Sequence, residues 1–187
     1  MVFSLISKLV NGIKGGVVEG LKGVADVGSS VVNVVKNLTV TTLKETTEFV
    51  VSGIEVPASI VKGAFSGVAE VGGSVIGAVK GIVQGVVQGV IESGGNQEQA
   101  VRGSVAQAVQ SAKEMGLNVG DTAVEAVKGS VEAIKQVGGD TLGATKEAIA
   151  SALDAAGEIG SEATDSVKEA LIAGVDGAKD IIEEVKK

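Results

Sequence analysis

Apolar and polar positions along this chain return every eleven residues, and the repeat keeps its register throughout: 187 residues make seventeen elevens. One column reads Val10, Leu21, Val32, Leu43, Ile54, Phe65, Ile76, Val87, Val109, Val131, Leu142, Leu153 and Val175. Another reads Leu5, Val27, Leu38, Phe49, Ile60, Val71, Ile82, Met115, Val137, Ile159 and Ile181. Eleven residues close three turns at about 3.67 residues per turn, near the α-helical value of about 3.6. A strand period of two fits these columns far less well. On a wheel at about 98° per residue, five columns merge into an apolar arc of roughly 130–165°. The pattern predicts an all-α chain of long amphipathic helices.

The borders of the arc are as regular as its centre. One edge carries Lys14, Lys36, Lys80, Arg102, Lys113, Lys135, Lys146, Lys168 and Lys179. The next column holds Asp26, Glu48, Glu70, Glu92, Glu114, Glu125, Glu147, Glu158, Glu169 and Asp180. The opposite edge is small: Gly12, Gly23, Gly67, Ala78, Gly89, Ala100, Ser111, Ala133, Ala144, Ala155 and Gly177. Lysines at an apolar boundary lay their methylenes on a hydrophobic surface and lift the ammonium to its rim. Against an anionic membrane each adds up to about 1 kcal/mol. These nine basic residues are therefore a candidate lipid-headgroup lane, and a solvated flank of a helical bundle is the plainer alternative.

Inside the arc one column alternates. From Val61 to Leu171 it places a branched residue and a glycine in turn: Val61, Gly72, Val83, Gly94, Val105, Gly116, Val127, Gly138, Ile149, Gly160 and Leu171. Gly28 lies in the same column. The true period is therefore 22. Glycine on an apolar face lets a second helix approach closely, so Gly28, Gly72, Gly94, Gly116, Gly138 and Gly160 are candidate helix-packing positions. The chain has 28 glycines. At roughly 1 kcal/mol for each helical glycine, they cost on the order of 20–28 kcal/mol relative to alanine. No isolated helix of this sequence is expected to be stable in water. The arc needs lipid or other helices against it, and little structure is expected of a chain left alone.

Three places interrupt the pattern. Asn37-Leu38-Thr39-Val40-Thr41-Thr42 is poor in helix formers and puts Thr in the apolar columns. Pro57 falls in an apolar column and predicts a kink or a restart of the helix. Gly94-Gly95-Asn96-Gln97-Glu98 puts a charge where the arc should be and is the best hairpin site. The expected organisation is an apolar arm over 1–93, kinked near 57, a glycine-rich break at 94–99, and an acidic arm over 100–187. Paired as a hairpin, the arms are each about 135 Å long, and as one continuous helix the chain is about 280 Å. The register passes through every break, which favours either the continuous helix or a history of duplication.

Composition narrows the chemistry. Cys, His, Trp and Tyr are absent and Phe occurs three times. Without His or Cys the commonest general base, the usual transition-metal ligands and thiolate chemistry are missing. No enzyme activity, cofactor or small-molecule substrate is expected. The glycine pairs match no nucleotide-binding fingerprint. Residues 1–93 carry seven Lys and seven acids, while 94–187 carry nine basic and sixteen acidic residues, the whole of the net charge of −7. That balance, with only three aromatics, excludes nucleic acid as the expected partner. The start of the sequence lacks the pattern of a secretory signal. The window 71–91 is the most membrane-like, and its regular polar positions favour a helix lying on a surface over one spanning it.

Val71-Gly72-Gly73-Ser74-Val75-Ile76-Gly77-Ala78-Val79-Lys80 and Val119-Gly120-Asp121-Thr122-Ala123-Val124-Glu125-Ala126-Val127-Lys128 resemble the eleven-residue repeats of synucleins. The general pattern is similar to group 3 late-embryogenesis-abundant proteins, exchangeable apolipoproteins and perilipins. The resemblance implies disorder or loose bundling in the free chain and helix on lipid surfaces or on drying. The expected function is thus a non-enzymatic coat on a membrane or lipid droplet, cytoplasmic and peripheral. The alternative is a self-assembling structural protein of bundles, sheets or filaments, with copies of itself as partner. Protection against drying or cold is the weaker third, because the chain is so apolar.

Overall fold

The computed structural model describes residues 2–45 and 54–185. Regular structure among them is entirely α-helical: α1 (Val2–Leu21), α2 (Val27–Glu45), α3 (Glu55–Glu70), α4 (Val75–Glu92), α5 (Gln97–Glu114), α6 (Val119–Gln136), α7 (Thr141–Ile159), α8 (Ser161–Gly174) and α9 (Ala178–Val185). The all-α expectation holds. The extended geometries do not: the chain is compact, and its longest described helix, α1, has 20 residues, about 30 Å. Segment 46–53, with Glu48 and Phe49 of the columns above, lies outside the described residues.

The physical reason is a stop signal written four times. Val71-Gly72-Gly73-Ser74, Ser93-Gly94-Gly95-Asn96, Met115-Gly116-Leu117-Asn118 and Val137-Gly138-Gly139-Asp140 each join two helices. The first glycine of each has a left-handed backbone, with φ of 80°, 89°, 71° and 75° in turn, which side chains with a Cβ resist. The following amide then reaches back to close the helix: Gly73 N to Val68 O at 3.0 Å, Gly95 N to Val90 O at 2.8 Å, Leu117 N to Ala112 O at 2.8 Å and Gly139 N to Ile134 O at 2.9 Å. This is the Schellman closure. The last residue of each turn caps the next helix. Ser74, Asn96, Asn118 and Asp140 accept side-chain hydrogen bonds from the amides of Gly77, Gln99, Asp121 and Gly143. Each cap contributes about 1 kcal/mol.

Helices α4, α5 and α6 have 18 residues each. Eighteen helical residues and a four-residue turn make 22, twice eleven, so the sequence keeps phase through real breaks. Of the kink or restart expected at Pro57, the structure has the restart: Pro57 occupies the first turn of α3, where its missing N–H is not needed. The glycine-rich segment at 94–99 is one of four like turns. A single hydrophobic core, from Ile13 to Ile182, runs across it.

The helices form two layers. In one, α1, α3, α5 and α7 lie side by side; in the other, α2, α4, α6 and α8 do. Neighbours within a layer run parallel. The Cβ direction of Gly63 meets Val10 O and Ile13, that of Gly67 meets Lys14 O and Val17, and the same order holds along α2 and α4. Consecutive helices, reversed by the short turns, pack between layers. The short α9 packs on α7 and α8. The 71–91 window corresponds to α4, the one described helix long and apolar enough to cross a membrane. Sixty-seven per cent of it is buried inside the fold. It lies between α2 and α6 in its layer and against α3 and α5 of the other.

Candidate functional site

The surface with functional promise is the interface repeated between each helix and the one two places on. The branched half of the alternating column lies in the core beside it. Val61, Val83, Val105, Val127, Ile149 and Leu171 fall one to a helix from α3 to α8 and are all fully buried. Phe65 is the largest fully buried side chain; elsewhere Val, Ile and Ala fill the space.

The glycine half of that column serves a different purpose from helix packing. Gly72, Gly94, Gly116 and Gly138 are the left-handed residues of the four turns, and Gly160, at φ 151°, is the single residue between α7 and α8. A Cβ built on any of the five meets no described atom within 4 Å. Gly28 lies inside α2, with Gly77 O 3.6 Å from its Cβ direction. Gly28 thus stands at a helix contact, and the closer backbone approaches are at other glycines. The Cβ direction of Gly63 points at Val10 O, 2.5 Å away, and that of Gly85 at Val32 O, 2.7 Å away. Those of Gly103 and Gly129 point at Ile54 O and Lys80 O. Gly63 and Gly67, like Gly81, Gly85 and Gly89, recur at a spacing of four on one helix face. That spacing of four is the sequence signal for these contacts. The small-residue edge does reach this interface: Ala78, Ala100, Ala133, Ala144 and Ala155 are buried with Gly67 and Gly89.

Basic and acidic columns meet across the same interface. Lys14 Nζ lies 3.0 Å from Glu70, Lys36 Nζ 3.0 Å from Glu92, Arg102 Nε 2.7 Å from Glu147 and Lys146 Nζ 3.6 Å from Glu184. In each pair the base is on one helix and the acid on the helix two places later. Lys80, Lys113, Lys135 and Lys179 are exposed, and Lys168 is half-buried. Half-exposed pairs of this kind contribute about 0–1 kcal/mol each, so they set register more than stability. The Glu147 carboxylate accepts a hydrogen bond from Arg102 and holds its guanidinium above the ordinary arginine range, with Glu98 adding to the effect.

Polar groups inside the stack mostly bond within their own helix. Thr39 Oγ1 donates to Val35 O and Ser59 Oγ to Glu55 O. Between α4 and α6 the Gln88 amide donates to Gln136 Oε1. An open groove of about 330 Å³ between α3, α5 and α7 contains Arg102, Gln110, Asp154 and Glu158, and Gln110 donates to Glu158. Its acids and its one base supply no nucleophile with a matched base. Among the described residues no group of acids is arranged to hold a metal ion. No protein-family model and no curated protein matches the chain.

Proposed function

We propose that this chain is a non-enzymatic structural protein, a stack of helical hairpins whose apolar face is filled by its own helices. One observation carries the reading: Val61, Val83, Val105, Val127, Ile149 and Leu171, the centre of the amphipathic arc, all have zero exposure within a single chain. A helix that coats lipid needs those side chains turned outward. Neighbour-only contacts along an ordered series of helices are the mark of solenoid scaffolds, which offer surfaces and spacing to partners instead of chemistry.

Coating of a lipid surface is the second reading, and the 22-residue spacing favours it. Twenty-two residues make about six whole turns at 3.67 residues per turn. A turn that became helical would leave the arcs on either side in phase on one face. Far-UV circular dichroism with and without anionic vesicles, run beside sedimentation, separates the two. The scaffold reading expects full helix content and a cooperative urea transition without lipid. Helix that forms only when vesicles are added would overturn it in favour of the lipid coat.

A further inference from the structure

The stack has a direction. From α1 to α6 a helix offers carbonyls and side chains to the small-residue face of the helix two places on: Val10 and Ile13 to Gly63, Val32 to Gly85, Ile54 to Gly103 and Lys80 to Gly129. Between α6 and α8 the order is mixed, since Gly120 meets Ser166 O while Gly174 meets Val124. Helix α1 has such a receiving face, and no described helix fills it. Lys8, Gly12, Gly15 and Glu19 follow one another at spacings of three and four and are all exposed. Gly12 shares the eleven-residue column of Gly67 and Gly89, and Gly15 that of Gly81 and Gly103. A Cβ on Gly12 or Gly15 meets no described atom within 4 Å. Each of these mid-helix glycines weakens α1 relative to alanine, and nothing among the described residues uses the space.

The other end of the stack complements this face. Leu142, Ile172 and Val185, on α7, α8 and α9, are 62%, 42% and 60% exposed. Leu142 falls in the column of Val10, Val32 and Ile54, whose backbone carbonyls meet glycines elsewhere. The eight-residue α9 covers only part of the 19-residue α7. Charge is complementary as well. Residues 2–45 hold five Lys and three acids, whereas 141–185 hold three Lys and ten acids.

We infer that copies of this chain join head to tail, the acidic, apolar end formed by α7, α8 and α9 seating on the exposed α1 face of the next copy. The inference rests on the scaffold reading. Opposite charge draws unlike ends together, and two acidic ends repel. The contact is therefore heterologous and does not close on itself, so growth is open-ended.

Sedimentation equilibrium of the full chain over a range of concentrations, at low and high salt, tests this. The weight-average mass is expected to rise past two copies without a plateau, and less so at high salt. The double substitution Gly12→Leu with Gly15→Leu fills the receiving face. It should lower the association constant about tenfold or more, the equivalent of about 1.4 kcal/mol, while helix content is kept. Lys8→Glu should weaken association at low salt, and mixing that variant with Asp180→Lys copies should restore it. A fully helical chain that stays monomeric, or that stops at two copies, overturns the inference and leaves the scaffold reading standing. So does association unchanged in the double variant. A chain without helix in the absence of lipid overturns both.

Discussion

The sign of one glycine substitution separates a broken stack from a continuous helix. Gly116 ends α5 with φ of 71°, and a Cβ there touches no described atom within 4 Å. Replacing it with alanine therefore perturbs the backbone alone. In the stack, alanine must adopt the left-handed conformation, at about 1–2 kcal/mol. In a helix running through the position, the same change gains roughly 1 kcal/mol. The two geometries thus differ by about 2–3 kcal/mol and in sign. Gly72, Gly94 and Gly138 occupy equivalent positions with φ of 80°, 89° and 75°. Separated sites add, so all four alanines together should remove about 4–8 kcal/mol, comparable with the total stability of an ordinary domain at about 5–15 kcal/mol. Urea unfolding followed by far-UV circular dichroism reads each step, with the denaturant slope checking that the unfolded state is unchanged. The single variant should lose stability and the quadruple variant should be largely unfolded in buffer. A neutral or stabilised Gly116→Ala would mean that the helix passes through the turn, and the layered arrangement would be wrong.

Other perturbations probe single parts of the stack. Gly129 faces Lys80 O, so Gly129→Ala should push α4 and α6 apart and cost about 1–3 kcal/mol in the same urea assay. The contrasting change, Gly15→Ala on the open face of α1, should stabilise by up to about 1 kcal/mol. Asn118→Ala removes the oxygen that accepts from Asp121 N at 2.9 Å and should lower stability by about 1 kcal/mol. The folded-state shift of Arg102 is upward. Its contribution is therefore complete below the unfolded value and is lost only as pH climbs through the folded one, beyond the ordinary arginine range. Arg102→Gln should consequently lower the urea midpoint slightly and by the same amount from neutral to mildly alkaline pH, with the difference shrinking as salt is added.

Much of the fold was legible because helix and turn obey one count. The apolar columns announced amphipathic helices, and the 22-residue alternation of Val with Gly marked the positions from Gly72 to Gly160, of which only Gly94 read as a turn. What the sequence withheld was the role of each partner in that alternation. Glycine at a helix stop and glycine at a helix contact are the same letter, and only the backbone torsion separates Gly72 from Gly85. The deciding neighbours were visible nevertheless. Each stopping glycine from Gly72 to Gly138 is followed two residues later by Ser74, Asn96, Asn118 or Asp140, a capping residue, whereas Gly63, Gly81 and Gly85 have another glycine four residues on. The ends of the stack were harder to place, because the turns at Gly23 and Gly177 leave the 22-residue lattice.

The lysine lane shows why a column alone does not name a partner. An amphipathic helix presents the same wheel to a lipid surface and to another helix, since both ask for an apolar arc with basic residues at its rim. The two differ in what the next column must do. A membrane gives the adjoining acids no task beyond facing water. Parallel helices offset by two places bring that acidic column onto the basic one, which is where Lys14 finds Glu70, Lys36 finds Glu92 and Arg102 finds Glu147. Adjacent basic and acidic columns repeated along the chain are thus explained by a stack of parallel helices and left unexplained by a single helix on lipid. The glycines at a spacing of four point the same way, because lipid chains gain nothing from a groove that admits a carbonyl. Both features belong to the sequence, and both acquire a purpose only when a second helix of the same kind lies alongside.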